Sequence, residues 1–478
     1  MNELAAKRNA VTELMRISPL ADDLARLFAA AGHRLYLVGG SVRDALLGRL
    51  TTKNDLDFTT DARPKQVLEI VSGWADAIWE TGIEFGTVGI TKRGTTLEIT
   101  TFRADSYDRV GRNPEVTFGD TIEGDLLRRD FTVNAMAVDL STKLFVDPYH
   151  GLDAVSARVL DTPATPEESF ADDPLRMLRA ARFVGQLGFT PAPRVVVAMT
   201  EMASELSRIT VERVQAELSK LLLGEYPRRA LELLVETGLA DQVLPEMPGM
   251  RLAIDEHHQH KDVYQHSLTV LEQAIALEKR DNWEPDLVLR LAALLHDIGK
   301  PATRRFEEGG GVSFHHHEVV GAKMVRKRLR ALKYPKQVVD DVSQLVFLHL
   351  RFHGYGNGEW TDSAVRRYVT DAGPLLERLH KLVRADSTTR NKRKAAALQR
   401  TYDDLEERIA RIQAEEDLAK VRPDLDGNEI MKILGLPPGP LVGQAWRHLK
   451  ELRLDRGPLS HEEAIAELRR WAENNGVA

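Results

Sequence analysis

The sequence of 478 residues contains no cysteine. Disulfides, thiol catalysis and Cys-ligated zinc are therefore excluded, and any metal ion has to be held by carboxylate and imidazole groups. No apolar run approaches the roughly 18 residues that a membrane-spanning helix needs. The N-terminal segment also lacks the continuous apolar stretch of a secretory signal. A cytoplasmic location without membrane attachment is the expectation.

An excess of positive charge is also missing. The chain carries 65 Lys and Arg against 72 Asp and Glu, a net charge of −7, whereas unselective nucleic-acid binders usually carry a global positive excess. Two local runs depart from this balance: residues 325–336 hold six basic residues and no acid, and residues 390–394 hold four. Each run predicts either contact with a polyanion or an ordinary solvated helix face.

The hydrophobic pattern changes along the chain. Short β-like runs such as RLYLVGG, DLDFTT, TVGITKRG and TLEITTFR alternate with helical segments up to about residue 150, and helical periodicity prevails afterwards. The length exceeds what one hydrophobic core usually serves. Breaks rich in Gly, Pro or acidic residues predict an α/β head and three helical domains, with bounds at 1–160, 161–250, 251–420 and 421–478.

The first candidate site follows the predicted strand that ends at Val38. Gly39 and Gly40 stand at a strand-to-helix junction, where backbone N–H groups can approach phosphate oxygens. Asp55 and Asp57 follow on another predicted strand, and alternation places both carboxylates on one face. Such a pair can hold two Mg²⁺ ions for nucleotidyl transfer. Taken singly, a Gly-Gly turn is ordinary architecture and an Asp-x-Asp pair is a solvated strand edge.

The head carries three further candidate features. Glu98 lies on a predicted strand and is a candidate third metal carboxylate. The polar segment 104–118 contains Gly and Pro, which predicts a mobile loop over an active site. Arg128, Arg129 and Asp130 precede an apolar segment and predict a clamp for a triphosphate and a ribose. A helix cap with surface arginines is the alternative.

A second candidate site lies in the predicted neck, in the segment DDPLRMLRAARF. Asp173, Arg176, Arg179 and Arg182 follow one another at steps of three, which on a helix makes one polar stripe. A carboxylate beside a guanidinium offers both acceptors and donors to a base edge, and further arginines can meet phosphates. Salt bridges along a surface helix would leave the same pattern.

Four of these segments, GGSVRDALLG, DLD, RRDFTVNAMA and DDPLRMLRAARF, occur in this order between residues 39 and 183. Together they resemble the class II tRNA nucleotidyltransferases and bacterial poly(A) polymerases. The resemblance implies an α+β fold, with a DNA polymerase β-like head of a small mixed sheet and helices, followed by an all-helical neck, an HD domain and a tail. It implies template-independent addition of C and A from CTP and ATP to the 3′ end of tRNA, with pyrophosphate released.

The resemblance also implies a role for each matching residue. Asp55 and Asp57 bind the metal ions, with Mg²⁺ as the expected cofactor. Asp173 and Arg176 read the Watson–Crick edge of the incoming base, so that protein replaces a nucleic-acid template. Further nucleotide contacts come from Gly40, Arg43, Arg128, Arg129, Arg179 and Arg182.

A separate set of histidines and aspartates lies in the predicted middle domain. The candidate ligands are His266, His296, Asp297 and Asp386. Imidazole and carboxylate without thiolate suit Mn²⁺, Fe²⁺, Ni²⁺, Co²⁺ or Zn²⁺, and a bound metal can activate water against a phosphoester. Their order resembles the HD phosphohydrolase superfamily. His317 and His349 could complete a second metal position, or be ordinary buried or capping histidines.

Two helical segments complete the resemblance. In ITVERVQAELSKLL, Glu212 and Arg213 are expected to brace the base-selecting helix. DGNEIMKILGLPPGPLVGQAWRHLKE is similar to the C-terminal tail of the same enzymes and is expected to contact tRNA, although a simple helix–turn–helix packing unit explains it nearly as well. The same head motifs also serve enzymes that add only CC, only A or long A tracts. An HD phosphohydrolase whose head merely binds nucleotides is the rival from another enzyme class.

Overall fold

A computed structural model of the chain describes residues 3–17, 19–51, 56–104, 117–251, 262–308, 311–352, 360–387, 392–415 and 422–477. The chain divides into two compact units, Met1–Val243 and Leu244–Ala478. The finer division into four domains stays a prediction. Within the described ranges, every helix is too short or too polar to cross a membrane.

The first unit contains a mixed seven-stranded sheet. The strands of this unit are β1 (Leu35–Val38), β2 (Asp57–Thr60), β3 (Ala77–Trp79), β4 (Thr87–Lys92), β5 (Thr95–Thr101), β6 (Arg103–Ala104), β7 (Thr117–Phe118), β8 (Ala137–Asp139), β9 (Phe145–Val146), β10 (Val159–Leu160) and β11 (Thr190–Pro191). The sheet order is β3-β4-β5-β2-β1-β8-β9, and the β2–β5 pair is parallel while its other pairs are antiparallel. The predicted α+β class is confirmed.

The burial pattern explains why these segments form strands. All four residues of β1 are buried, as expected of a central strand covered on both faces. In β5, Leu97 and Ile99 point into the core while Glu98 between them is exposed, which is the alternation of a half-buried strand. The sheet therefore offers one polar face at the β2–β5 pair.

Helices surround this sheet and continue into the segment predicted to be the neck. The helices of the first unit are α1 (Glu3–Ile17), α2 (Pro19–Ala30), α3 (Gly40–Leu46), α4 (Pro64–Val71), α5 (Ile122–Leu127), α6 (Gly151–Ala157), α7 (Pro166–Asp172), α8 (Leu175–Leu187), α9 (Pro193–Glu201), α10 (Val211–Leu222), α11 (Pro227–Glu236) and α12 (Leu239–Val243). Helix α8 packs against both α10 and α11 and buries Met177, Leu178 and Ala181. This packing fixes the helix that carries Arg176, one of the predicted base-reading residues.

The second unit is almost entirely helical. Its elements are α13 (Glu246–Gly249), α14 (Val263–Arg280), α15 (Leu287–Leu295), α16 (Lys300–Thr303), β12 (Arg305–Phe306), β13 (Val312–Ser313), α17 (His317–Ala331), α18 (Lys336–Leu348), α19 (Asp362–Ala372), α20 (Leu376–Asp386), α21 (Lys392–Glu415), α22 (Gly427–Leu434), α23 (Pro440–Arg456) and α24 (His461–Asn474). Helix α15 lies among α14, α18 and α20, and its residues from Leu289 to Leu295 are all buried. The last three helices share a separate apolar core that includes Ile430, Leu449 and Leu468.

Candidate active site and metal centre

The glycine turn between β1 and α3 lies directly beside two charged side chains. Gly39 has φ 77° and ψ −135°, a conformation open almost only to glycine. A Cβ atom placed there would lie 3.1 Å from Arg129 Nη1 and 3.8 Å from Asp57 Oδ2. The absence of a side chain therefore lets the backbone approach the charged groups that the sequence marks as a nucleotide site.

Asp57 and Glu98 are neighbours across the parallel strand pair. Asp57 begins β2, and its Cα partner on β5 is Glu98. Directly paired residues project to the same face of a sheet, and both side chains are exposed. Two carboxylates on one face form an oxygen-rich donor set of the kind that Mg²⁺ prefers. Asp55, the other predicted metal ligand, lies outside the described residues.

A buried carboxylate holds the paired arginines. Asp125, on α5, is 1% exposed and accepts a hydrogen bond of 3.1 Å from Arg129 Nη2. Arg128 Nε lies 3.6 Å from the other oxygen of the same carboxylate. In the part of the chain that the structure describes, the Nε atoms of Arg128 and Arg129 are buried without a hydrogen-bond partner. Unsatisfied guanidinium donors beside a glycine turn favour an anionic ligand.

These side chains surround a cleft of about 380 Å³. Its lining consists of Val38, Asp57, Phe58, Thr100, Arg103, Asp125, Arg128, Arg129, Asp130, Asp173, Leu175, Arg176, Arg179 and Arg213. Strand ends of the head and helix α8 of the neck thus meet at one polar cavity. Of the predicted nucleotide contacts, Gly40, Arg43 and Arg182 are not among the described lining residues, and neither is Glu98.

The position of Asp173 differs from the predicted helical stripe. Asp173 has φ −142° and ψ 98° and precedes Pro174, whereas α8 begins at Leu175. The prediction that Asp173 shares the helix with the arginines was wrong, because the residue before a proline is driven out of the α region. Its carboxylate accepts hydrogen bonds of 3.1 Å from the Leu175 N–H and 2.8 Å from Arg213 Nη2. Asp173 therefore stands at the helix start, held from two sides.

Arg176 is anchored on the side of its guanidinium that faces the protein. It donates a hydrogen bond of 2.9 Å to Ser169 Oγ and one of 2.7 Å to the backbone carbonyl oxygen of Arg128. The second bond joins the neck helix to the basic segment of the head. A guanidinium fixed in this way presents its remaining donors in one orientation.

A buried ion pair links the same segments more strongly. Asp130 Oδ2 accepts hydrogen bonds of 2.8 and 2.5 Å from Arg179, and Oδ1 accepts one of 3.0 Å from Asn134. Burial raises the pKa of the Asp130 carboxyl, but the charge of Arg179 and these hydrogen bonds outweigh it and lower that pKa to about 2. Asn134 also accepts a hydrogen bond of 2.7 Å from the buried Arg43. Asp130 is therefore a fixed anion at the junction of head and neck.

Arg182 is not among the lining residues of the cleft and contacts two residues of the neck. Its Nε lies 3.0 Å from Glu217 Oε2 on α10, and its guanidinium carbon lies 4.4 Å from the centre of the Phe183 ring. Arg179 Nη1 lies 3.8 Å from the same carboxylate. Burial, together with the nearby charge of Arg179, lowers the pKa of Arg182 to about 10. Glu217 thus serves two of the predicted nucleotide-contacting arginines.

Four polar residues of this network were missed by the sequence reasoning: Asp125, Asn134, Ser169 and Glu217. Asn134 belongs to the quoted segment RRDFTVNAMA and could have been found from it. The other three are single polar residues on helices, and no spacing in the sequence connects them with their arginine partners. Arg213 was expected to brace the selecting helix, and its bond to Asp173 has that geometry.

The second unit brings all six candidate metal ligands together. They form two adjoining groups within the described residues: His266, His296 and Asp386, and Asp297, His317 and His349. Asp297 lies between the groups, since its Oδ2 is 3.2 Å from His296 Nε2 and its Oδ1 is 3.2 Å from His317 Nε2. One carboxylate can therefore face two cation positions.

Backbone hydrogen bonds orient three of these imidazoles. The Nδ1 atoms of His296, His317 and His349 lie 2.9, 2.8 and 2.6 Å from carbonyl oxygens three residues earlier in the chain. Because a carbonyl oxygen only accepts, each Nδ1 carries the proton, and each Nε2 is left for a ligand. The Nε2 atoms of His317 and His349 are buried and have no hydrogen-bond partner among the described residues. This donor set fits a transition metal.

The carboxylates make the centre strongly negative, and a proton on His296 or a bound cation compensates this charge. Burial lowers the pKa of His296, but the carboxylates of Asp297 and Asp386 outweigh it and raise that pKa to about 10. Burial raises the pKa of Asp297, and the facing histidines hold it well below its usual value. Lys300 Nζ donates a hydrogen bond of 2.6 Å to Asp297 Oδ2. Buried carboxylates kept charged in this way attract a cation.

Gly299 allows the two halves of this centre to approach. A Cβ atom at Gly299 would lie 2.2 Å from the backbone oxygen of His317 and 2.7 Å from the backbone nitrogen of Gly321. The start of α17 therefore packs directly on the turn that follows Asp297. Any side chain at residue 299 would separate His317 from that carboxylate.

The predicted loop over the head site falls mostly outside the described residues. Of the predicted loop 104–118, residues 105–116 are outside the described residues. Its described ends are the short strands β6 and β7, which pair antiparallel with Arg103 opposite Phe118. The segment therefore leaves and rejoins the head at the edge where Arg103 lines the cleft.

Comparison with known families matches three segments of the chain. Residues 35–161 match the family described as Poly A polymerase head domain, and residues 188–250 match the family described as Probable RNA and SrmB- binding site of polymerase A. Residues 263–391 match the HD domain. The first segment contains the glycine turn, Asp57 and the paired arginines, and the last contains all six candidate metal ligands.

Whole-length relatives agree with these matches. A CCA-adding enzyme of Geobacillus sp. is 30% identical over 437 residues, which cover 91% of this chain and 92% of the relative. An A-adding tRNA nucleotidyltransferase of Deinococcus radiodurans is 37% identical over 445 residues, 91% of this chain and 95% of the relative. The crystal structure of the Bacillus stearothermophilus CCA-adding enzyme in complex with CTP is 28% identical with a TM-score of 0.67, and the match covers 96% of this chain and 98% of that one.

Proposed function

Because the chain belongs to the family of class II CCA-adding enzymes and poly(A) polymerases with an HD domain, we propose that it adds C and A nucleotides to the 3′ end of tRNA. The substrates would be CTP, ATP and tRNA, and pyrophosphate would be released. The reaction needs no nucleic-acid template, since side chains of the neck would select the base. The cytoplasm, where tRNA is matured, is the proposed location.

The observation that carries this proposal is one cleft lined by the end of β1, the paired arginines and the start of α8. Asp57, Arg129 and Asp173 line the same cavity of about 380 Å³. The groups proposed to bind metal, phosphate and base thus converge at the scale of one nucleotide. A protein that merely bound RNA would not need these groups in one cavity.

Membership in this nucleotidyltransferase family implies a divalent metal ion, and we propose Mg²⁺. Asp57 would hold it with Asp55, and Glu98, on the same face of the sheet, is the proposed third carboxylate. When bound, Mg²⁺ would favour ionisation of the tRNA 3′ hydroxyl and neutralise charge on the phosphates.

Each part of the cleft has a proposed task in the reaction. Gly39 and Gly40 would admit the triphosphate to the start of α3, and Arg128 and Arg129 would bind its oxygens. The 3′ hydroxyl oxygen of tRNA would attack the α-phosphorus, and the bond to the pyrophosphate oxygen would break. Arg128 and Arg129 would stabilise the negative charge on the leaving pyrophosphate, because Asp125 holds both side chains in place before the reaction.

Base selection is assigned to the neck. Asp173 would accept a hydrogen bond from the amino group of cytosine or adenine, and Arg176 would donate to a ring acceptor. Both are held by bonds to Arg213, Ser169 and the Arg128 carbonyl oxygen. Side chains held in this way can discriminate between bases, because an incorrect base would leave some of their donors and acceptors without a hydrogen bond. Arg43, Arg179 and Arg182 are proposed to act nearby, as contacts or as supports of the nucleotide.

The test is incorporation into tRNA transcripts that end before CCA, after C and after CC, with CTP and ATP supplied separately and together. Wild type should complete CCA on all three and then stop, whereas Asp57→Ala should be inactive. The matched control is Asp120→Ala, an exposed head carboxylate away from the cleft, which should retain activity. Long A tracts on unrelated RNA would identify a poly(A) polymerase, and no incorporation by wild type would refute the proposal.

Addition of A alone is the second candidate. The Deinococcus radiodurans relative is named an A-adding tRNA nucleotidyltransferase and is 37% identical over 91% of this chain. The same assay separates the two, because an A-adding enzyme extends only the transcript that ends in CC. An enzyme that adds only CC would extend the two shorter transcripts and stop before A.

Hydrolysis of a phosphoester at the HD centre is a further candidate activity, favoured by the two adjoining ligand groups. His266, His296, Asp297 and Asp386 would hold Mn²⁺, Fe²⁺, Ni²⁺, Co²⁺ or Zn²⁺, and His317 and His349 would complete a second position. Bound metal would supply a nucleophilic hydroxide from water. Wild type loaded with each metal should hydrolyse bis-p-nitrophenyl phosphate or 2′,3′-cyclic AMP, and Asp297→Asn should not. Absence of hydrolysis with every metal would refute this activity and leave the centre a structural one.

A further inference from the structure

Helix α17 carries a concentration of positive charge that neither proposed activity uses. Between Glu318 and Asp340 the sequence contains seven Lys and Arg residues, five of them on α17, and no carboxylate. The chain as a whole has a net charge of −7. A local excess of one sign against an opposite global charge marks a surface for a partner of the other sign.

Ion pairs neutralise some of these side chains but not those on the outer face. Arg328 Nε lies 2.8 Å from Glu246 Oε2, and Arg326 Nη2 lies 3.8 Å from Asp340 Oδ1. Lys323, Lys327 and Arg330 are exposed, and the described part of the chain shows no ion pair to any of them. We call these three side chains the basic stripe.

The basic stripe lies on one line along the helix. Its members are separated by four and three residues, the spacing that places side chains on the same helical face. The residues of α17 that pack inwards include Gly321, Val325 and Leu329, which occupy the opposite face. At a rise of 1.5 Å per residue the stripe extends over about 10 Å. Three cations in a row over this length can follow several successive phosphates of a nucleic-acid strand.

We propose that the basic stripe binds the sugar–phosphate backbone of the RNA substrate, as a docking surface on the second unit. This inference rests on the proposed function, since that function supplies the polyanion. The contact is electrostatic and independent of base sequence, because lysine and arginine side chains on a convex helix meet phosphates rather than base edges. It would position tRNA without taking part in nucleotide transfer.

The test compares a stripe variant, Lys323→Ala/Lys327→Ala/Arg330→Ala, with a dispersed variant, Arg8→Ala/Arg26→Ala/Lys65→Ala. The dispersed variant also removes three positive charges, but from exposed positions of α1, α2 and α4. The affinity for a tRNA transcript ending in CC would be measured by fluorescence anisotropy between roughly 50 and 300 mM salt. Incorporation at saturating tRNA and thermal unfolding would be measured in parallel.

The stripe variant should bind tRNA at least about tenfold more weakly at low salt, and the slope of log affinity against log salt should fall by about two to three. Its incorporation rate at saturating tRNA should match wild type, and the dispersed variant should bind as wild type does. The charge-retaining variant Lys323→Arg/Lys327→Arg/Arg330→Lys should restore affinity and slope. Unchanged affinity and slope in a folded stripe variant would overturn the inference, whereas wild-type incorporation reports separately on the proposed function.

Discussion

Asp130→Asn removes the negative charge from the buried ion pair between the head and the neck. The pKa of Asp130 falls from 3.8 to about 2, which corresponds to about 2 kcal/mol in favour of the charged form. Breaking a buried pair by neutralising one partner typically costs about 3–5 kcal/mol. Because Arg179 is 32% exposed, solvent screening lowers this figure, and we expect a loss of about 2–3 kcal/mol.

For a unit of the size of Met1–Val243, this loss corresponds to a fall of roughly 5–10 °C in the unfolding temperature. The assay is thermal unfolding followed by circular dichroism or calorimetry, with Asp120→Asn as the control. Asp120 lies 2.7 Å from Arg63, but its side chain is 86% exposed, so its loss should change stability little. Equal effects of the two substitutions would refute the reasoning.

Acid unfolding provides an independent measure of the same pair. A carboxylate with a lowered folded-state pKa stabilises the protein fully above its unfolded-state pKa, and this contribution is lost as the pH falls through the folded-state value. In wild type the contribution of Asp130 to the free energy of unfolding should therefore disappear as the pH falls from 3.8 to about 2. The difference in stability between wild type and Asp130→Asn should shrink over the same interval. A difference that grows towards acid pH would contradict the lowered pKa.

Three further outcomes are expected. Gly39→Ala should lower stability by about 1–3 kcal/mol through backbone strain and reduce incorporation by displacing Arg129. Its control is Gly48→Ala, because Gly48 has φ +66° but a Cβ atom there would have no atom within 4 Å. This control should lower stability and leave incorporation unchanged. Glu217→Gln should raise the KM for nucleotides about tenfold, a loss of about 1.4 kcal/mol, without changing the KM for tRNA, and an equal rise in both would contradict its role. His296→Ala should lose the HD metal in elemental analysis yet keep incorporation, while the exposed His315→Ala should keep both.

The sequence predicted the elements that form the core of the head. RLYLVGG was predicted as a strand from its short β-like run and TLEITTFR from its alternation of apolar and polar residues, and β1 and β5 lie at those positions. The strands β3 and β9 were not predicted. They have three and two residues, and all are at least partly exposed, so they carry no hydrophobic pattern. Their pairing with longer strands, rather than their own sequence, makes them part of the sheet.

The candidate site was predictable where residues belong to a spaced motif and not where they support one. Asp57, Arg129 and Arg176 came from such motifs, and the structure brings them to one cleft. Asp125 and Glu217 are buried carboxylates whose arginine partners become apparent only when α5, α8 and α10 pack. For Arg182 the motif predicts a nucleotide contact, and the structure adds contacts with Glu217 and Phe183 that its spacing does not indicate.

The bonds between head and neck bear on the proposal that side chains replace a template. Arg179 on α8 is bound to Asp130, and Arg176 on the same helix is bound to the backbone oxygen of Arg128. The helix that begins beside Asp173 is therefore tied to the segment that carries Arg128 and Arg129. Selection by hydrogen bonding requires donors and acceptors in fixed positions, because a mobile side chain could form hydrogen bonds with both the correct and the incorrect base. The buried ion pair would thus support the proposed base selection by keeping Asp173 and Arg176 at a fixed distance from Arg129 and Asp57.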